Sequence, residues 1–277
     1  MKPFTKRLFS PVALILSASV LWTVPSRAQI LVEANFSGGN GTSSVDQFQG
    51  TAGGGWANAW GFTGVDYSAS VVSGDPMDGD YLSITRPSTA TTTASLTRTI
   101  DNGVLDTAAN HVVSFSLRLD ALPSAQTLSI GGYSLGATSA WNWLIIGDSA
   151  RWAFYNGLTI VNVTGVTPQA GHTYDFTVNV NMVDKQWTAS VQDGGSSYTS
   201  GVLGFRNTVA VNDQRLLFSV ANGSAQALDL SIDSVSYSAV PEPNVTALLI
   251  GGLVVLVGSG KSRQMRQSQG ETRRHGV

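Results

Sequence analysis

His172-Thr173-Tyr174-Asp175-Phe176-Thr177-Val178-Asn179-Val180-Asn181-Met182 alternates apolar and polar side chains without a break. A period of two belongs to a strand, whose successive side chains point to opposite faces; a helix would scatter the same residues around its circumference. Tyr174, Phe176, Val178, Val180 and Met182 therefore share one face, and Thr173, Asp175, Thr177, Asn179 and Asn181 the other. After the short Val183-Asp184-Lys185 turn the pattern resumes, with Trp187, Ala189 and Val191 set against Gln186, Thr188, Ser190 and Gln192. The two runs predict an antiparallel hairpin with one buried and one wet face.

The same signature marks Leu31–Phe36, Tyr81–Arg86, Ala94–Ile100, Val112–Leu119, Thr127–Ile130, Trp141–Gly147, Trp152–Asn156, Leu216–Asn222 and Leu228–Ser238. In Val112–Leu119 the buried set is Val113, Phe115, Leu117 and Leu119. In the last run Leu228, Leu230 and Ile232 share a face, and the pattern then slips to Val235 and Tyr237. A slip of one residue predicts a β-bulge near Asp233-Ser234. No amphipathic stretch longer than two helical turns lies between Gln29 and Val240. Many short strands separated by Gly, Ser and Asn predict an all-β domain over 29–239, an antiparallel β-sandwich of jelly-roll type.

Charge is segregated along the chain. Of 16 basic residues, only Arg86, Arg98, Arg118, Arg151, Lys185, Arg206 and Arg215 lie between Gln29 and Val240, against 16 of the 18 acids, a formal charge of −9. Such a domain repels phosphate backbones, so nucleic acid is not an expected partner. The chain has no Cys, which excludes disulfides, thiolate metal sites and Cys nucleophiles.

The two ends read as addresses. Residues 1–28 combine basic Lys2, Lys6 and Arg7, an apolar run from Leu8 to Trp22, and small Ser26 and Ala28 ahead of Gln29; this is the pattern of a secretory signal peptide cut by signal peptidase. At the other end, Val240-Pro241-Glu242-Pro243 precedes an apolar run over 245–260 and a basic tail over 261–277. The prolines resist helix, so the tetrapeptide is expected to stand extended. Sixteen helical residues span about 24 Å, short of a hydrocarbon core of roughly 30 Å. Lys261 and Arg263 can snorkel to offset that mismatch, and the basic tail places 29–240 outside the cytoplasm.

This order of Pro241-Glu242-Pro243, single helix and basic tail resembles the PEP-CTERM sorting signal of Gram-negative bacteria. The family's basic cluster is more compact than the one spread here from Lys261 to Arg274. The resemblance implies recognition by an integral-membrane exosortase, a transient inner-membrane intermediate, and delivery to the cell surface or extracellular matrix, a setting rich in polysaccharide.

A second resemblance covers about residues 30–239. The opening strand, Gly55-Trp56-Ala57-Asn58-Ala59-Trp60-Gly61, the long hairpin and the closing Ile232-Asp233-Ser234-Val235 are similar to concanavalin-A-like and laminin-G-like jelly rolls. That superfamily holds lectins, enzymes and structural modules, so it names no activity.

Candidate sites follow from residue chemistry. Glycan cleavage needs two carboxyls across a cleft, yet Glu33 is the single Glu of the domain and no Asp pair is suggestively spaced, so no catalytic residue is assigned and no enzyme is expected. Trp187, Trp141 and Trp143 fall on strand faces expected in the core. Trp56 and Trp60 sit in a Gly-rich segment without alternation, which makes them the candidate aromatic platform for a sugar ring. Asp75, Asp78 and Asp80, in Gly74-Asp75-Pro76-Met77-Asp78-Gly79-Asp80, are candidate oxygen ligands for Ca²⁺, although their spacing differs from an EF-hand loop; Asp and Gly are equally ordinary turn residues. The function expected is an exported, non-catalytic surface or matrix protein with weak polysaccharide binding. Its rivals are a dedicated lectin-like module and a glycan hydrolase.

Overall fold

The alternation of the sequence converts directly into hydrogen-bonded registers. A computed structural model describes residues 29–37, 55–63, 68–86, 94–101, 104–105, 109–122, 127–135, 138–146, 150–207, 215–220 and 228–240. The expected leader (1–28), the Pro241-Glu242-Pro243 motif, the apolar run and the basic tail lie outside these residues. Among the described residues no helix is long and apolar enough to cross a membrane, and the strands belong to one compact unit, Ala28–Pro241.

Those strands are β1 (Gln29–Ala34), β2 (Gly61–Thr63), β3 (Ser68–Ser73), β4 (Asp80–Arg86), β5 (Ala94–Thr99), β6 (Asn110–Ala121), β7 (Thr127–Leu135), β8 (Thr138–Ile146), β9 (Arg151–Asn156), β10 (Thr159–Asn162), β11 (His172–Asn181), β12 (Gln186–Asp193), β13 (Ser196–Thr199), β14 (Leu203–Gly204), β15 (Arg215–Val220) and β16 (Leu228–Ala239). They form two antiparallel sheets. One has nine strands in the order β13-β12-β11-β6-β16-β4-β3, with β1 on β16 and β14 on β12; the other has seven, β10-β9-β8-β7-β15-β5-β2.

The expected hairpin is β11–β12, in register from Asp175↔Gln192 to Asn181↔Gln186. Its apolar face is in the core: Tyr174, Phe176, Val178, Val180, Trp187, Ala189 and Val191 are all buried. Aromatic rings join the layers. Phe115 of β6 meets Phe218 of β15 edge-on at 6.3 Å, and Trp143 of β8 meets Phe176 of β11 at 5.1 Å. Edge-to-face packing of this kind adds to the gain from area burial. Two facing sheets with interdigitated inner side chains are an antiparallel β-sandwich.

The bulge also lies where the pattern slips. On β16 the register with β6 breaks between Asp233 and Ser236, and Ser234 takes a φ of 54°. Ile232 before the break and Val235 after it are both buried, so one extra residue restores the parity of the inward face. The bulge also divides the strand's other edge. Residues 228–232 pair with β4 and residues 235–239 pair with β1.

Candidate functional site

The outer face of the nine-stranded sheet is built from the polar half of each alternation. One row crosses it as Asp233↔Ser116↔Asp175↔Gln192. The row beyond it runs Ser236↔Ser114↔Thr177↔Ser190↔Thr199. Hydroxyls bridge neighbouring strands within that second row, Ser114 to Ser236 at 2.8 Å and Ser190 to Thr199 at 3.0 Å. In the first row the Ser116 hydroxyl donates to the Asp175 carboxylate at 2.6 Å.

The β3–β4 loop stands over one part of this face. It closes on itself through the Gly74 N–H, which donates to the Gly79 carbonyl at 2.9 Å. Both glycines have positive φ, 89° and 80°, a region that Cβ-bearing residues disfavour. The buried Met77 seats the loop, and the Tyr81 hydroxyl donates to the Asp75 carbonyl at 3.1 Å. Between loop and sheet lies a cleft of about 340 Å³ lined by Pro76, Met77, Asp78, Ser116, Thr173 and Asp233. Its chemistry is mixed, with an exposed proline ring and a thioether on one wall and hydroxyls and carboxylates on the others.

Asp233 is the unusual member of this set. The bulge places it outward, half-buried; its Oδ2 accepts from the Ser234 hydroxyl at 3.0 Å, while its buried Oδ1 makes no hydrogen bond within the protein. Burial holds this carboxyl above the ordinary aspartate range, Asp80 adds to the shift, and the hydrogen bonds from Ser234 oppose it. On β6 the Arg118 guanidinium is tied to Asp120 at 2.7 Å and to the Gly171 carbonyl at 2.5 Å, and its register partner on β11 is Thr173.

Two expectations from sequence are corrected here. Trp60 is only 1% exposed. It stacks on Phe36 at 6.2 Å and packs against Phe218 at 6.2 Å, closing one end of the core. Trp56 is half-buried; its indole N–H donates to the Glu33 carbonyl at 2.7 Å and its ring lies 4.6 Å from the Arg98 guanidinium. Arg98 is itself buried, which lowers its pKa to about 10 and leaves it cationic at neutral pH; its Nε donates to the Asn58 carbonyl at 3.1 Å. Arg98 packs beside both indoles, 4.6 Å from Trp56 and 5.7 Å from Trp60, and the pair offers no open platform.

The Asp loop does not gather its carboxylates either. Asp80 lies in β4 and accepts from the Ser73 hydroxyl, Asp75 contributes its carbonyl to Tyr81, and Asp78 lines the cleft. Closure of the loop on itself gives each a different engagement. Among the described residues no group of three or more acidic or imidazole side chains is placed to hold a metal ion.

Sequence reasoning placed Thr173 and Asp175 on the wet face but did not single out Ser116, Asp233 or Pro76. The slip at Asp233-Ser234 was the available signal, since bulges re-aim side chains and gather at sites.

No protein-family model and no curated protein sequence matches the chain. Among solved structures it is similar to the catalytic domain of the glycoside hydrolase family 131 protein from Coprinopsis cinerea, with 14% identity and a TM-score of 0.53 over 78% of this chain and 95% of that one. A protein of unknown function from Shewanella oneidensis MR-1 matches with 17% identity and a TM-score of 0.48 over 65% and 77% of the two chains. A lectin complexed with galactose, UEA-II, matches with 11% identity and a TM-score of 0.42 over 65% and 92%. At these identities the first of the three shows a shared β-sandwich fold and nothing finer.

Proposed function

We propose that this chain is an exported surface or matrix protein, sorted through its PEP-CTERM-like tail, whose sandwich binds neutral polysaccharide weakly and without cleaving it. The cleft beneath the β3–β4 loop carries the binding half of this reading. Its volume of about 340 Å³ suits one or two sugar rings. The Pro76 ring can lie against the apolar face of a pyranose, while Ser116, Thr173 and Asp78 meet its hydroxyls. Carboxylates in the cleft and the −9 charge of the domain select against polyanions. An open groove without a stacked indole supports affinities of about micromolar to millimolar.

Affinity electrophoresis of the folded chain through gels containing single soluble polysaccharides tests this. Retardation is expected in a neutral glucan gel and not in a polyuronate gel, and it is expected to vanish for Ser116→Ala/Thr173→Ala. Equal retardation of variant and wild type would place the binding surface elsewhere.

A hydrolase is the second reading, favoured by one observation. Asp233 and Asp175 flank Ser116 in a single row, so their Cα atoms are about 10 Å apart, and burial keeps Asp233 inclined to hold a proton, as a general acid requires. Release of reducing ends from the retarding glucan, abolished by Asp233→Asn, would favour cleavage over simple binding.

A further inference from the structure

Large aliphatic side chains stand exposed at Ile30 (56%), Leu158 (84%), Ile160 (46%), Val183 (67%), Val202 (65%) and Val240 (37%). Exposed aliphatics scattered singly are ordinary. Ile30, Leu158, Val183, Val202 and Val240 fall at one pole of the sandwich. Gln29 pairs with Ala239, and the Val240 N–H donates to the Asn110 carbonyl at 2.9 Å. Asn110 pairs with Asn181, just before the turn that carries Val183, and Asn181 pairs with Gln186. Gln186 pairs with Gly204, beside Val202. Gly204 in turn accepts from the Gly157 N–H at 3.0 Å and donates to the Asn156 side chain at 2.9 Å, which fixes the hairpin tip bearing Leu158. A recess of about 310 Å³ opens here, and Val202 and Val240 share its walls with the amides of Asn110, Asn179 and Gln186. The Asp184 carboxylate in the turn is engaged by the Asn181 amide at 2.8 Å.

We infer that this pole rests on the surface of the lipid bilayer, with its aliphatic rim at the headgroup–acyl boundary and its amides among the headgroups. The inference rests on reading 245–260 as a membrane helix. Only Pro241-Glu242-Pro243-Asn244 separates Val240 from that run, a reach of at most about 14 to 18 Å. Gln29, the residue expected to follow the leader, pairs with Ala239, so both apolar segments of the chain attach to the domain at this pole. A surface held so close to the membrane meets lipid at high effective concentration, and modest contact is enough to dock it. Exposed aliphatics interspersed with amides and the polar Asp184-Lys185 turn are the chemistry of an interfacial contact.

The chain has no Cys, so single labels are straightforward. The full chain carrying Leu158→Cys or Val202→Cys, with an environment-sensitive fluorophore, is reconstituted into phosphatidylethanolamine/phosphatidylglycerol vesicles. Thr85→Cys, exposed toward the opposite end of β16, is the control. Flotation reports the anchor and emission reports the pole. The expected result is flotation of all three, with a blue shift and loss of emission on brominated lipid at 158 and 202 only. Flotation with water-like emission at 158 and 202 overturns the docking while leaving the anchor reading intact. Failure to float removes the anchor and the docking together. Shielding that rises with protein density and ignores brominated lipid assigns the rim to a second copy of the chain and overturns the proposal.

Discussion

Burial and the neighbouring Asp80 charge raise the Asp233 carboxyl, against the pull of Ser234. For an acid whose folded pKa lies above its unfolded value near 3.8, the folded state binds the extra proton. Its stabilising contribution is complete below the unfolded pKa and is lost as pH rises through the folded one. Asp233→Asn is therefore expected to gain stability at neutral pH and to flatten the decline seen above the ordinary aspartate range. Asp229, raised by burial and by Asp120, preserves part of that slope. Urea midpoints from about pH 4 to about pH 7 measure it, and an unchanged slope in the variant would contradict the assignment. Trp60→Ala removes a ring that is 1% exposed, at an expected cost of about 3–5 kcal/mol, read as a lowered thermal midpoint. Alternation made the outward Thr173 and Asp175 legible in sequence. Trp60 was not legible, because its Gly-rich segment has no period and the rings that bury it, Phe36 and Phe218, come from distant parts of the chain.

At the scale of elements, the parity slip at Asp233-Ser234 was readable because both flanking faces are fully buried and tolerate no other register. The short strands were not: β2, β10, β13 and β14 have three, four, four and two residues, too few to display a period. Close packing in the seven-stranded sheet was equally hidden. Gly132 pairs with Trp141 across β7 and β8, and a Cβ on Gly132 would come within 2.6 Å of the Trp141 ring. That indole is fully buried and has no room to retreat. Gly132→Ala is expected to destabilise the domain by about 1–3 kcal/mol through overpacking. Denaturant unfolding checks it, and a neutral result would mean that the indole has space to move.

Across the whole molecule, the first and last strands close the fold, with Gln29 paired to Ala239 and Val32 paired to Tyr237. Among the described residues the last backbone hydrogen bond of this edge is donated by Val240, the residue before the Pro241-Glu242-Pro243 motif. Replacing those three residues with Ala is expected to leave the sandwich folded and the protein retained in the inner membrane, whereas wild type is expected to reach the surface beginning at or near Gln29. Fractionation with N-terminal sequencing reads both, and unchanged surface delivery of the variant would count against exosortase sorting. The sandwich itself was legible from alternation alone. The cleft was not, because it joins a loop at 74–79 to strands whose outward residues lie around 116, 173 and 233, and only the folded strand order brings them together.

The measurement that bears most directly on the account is hydrogen–deuterium exchange of the folded protein with and without a soluble neutral glucan. Binding in the cleft predicts slowed exchange confined to the peptides covering 74–80, 114–118, 171–176 and 231–235. Slowing confined instead to the peptides around Trp56 and Trp60 or to the Asn110–Val240 recess, or no slowing at saturating glucan, would contradict it.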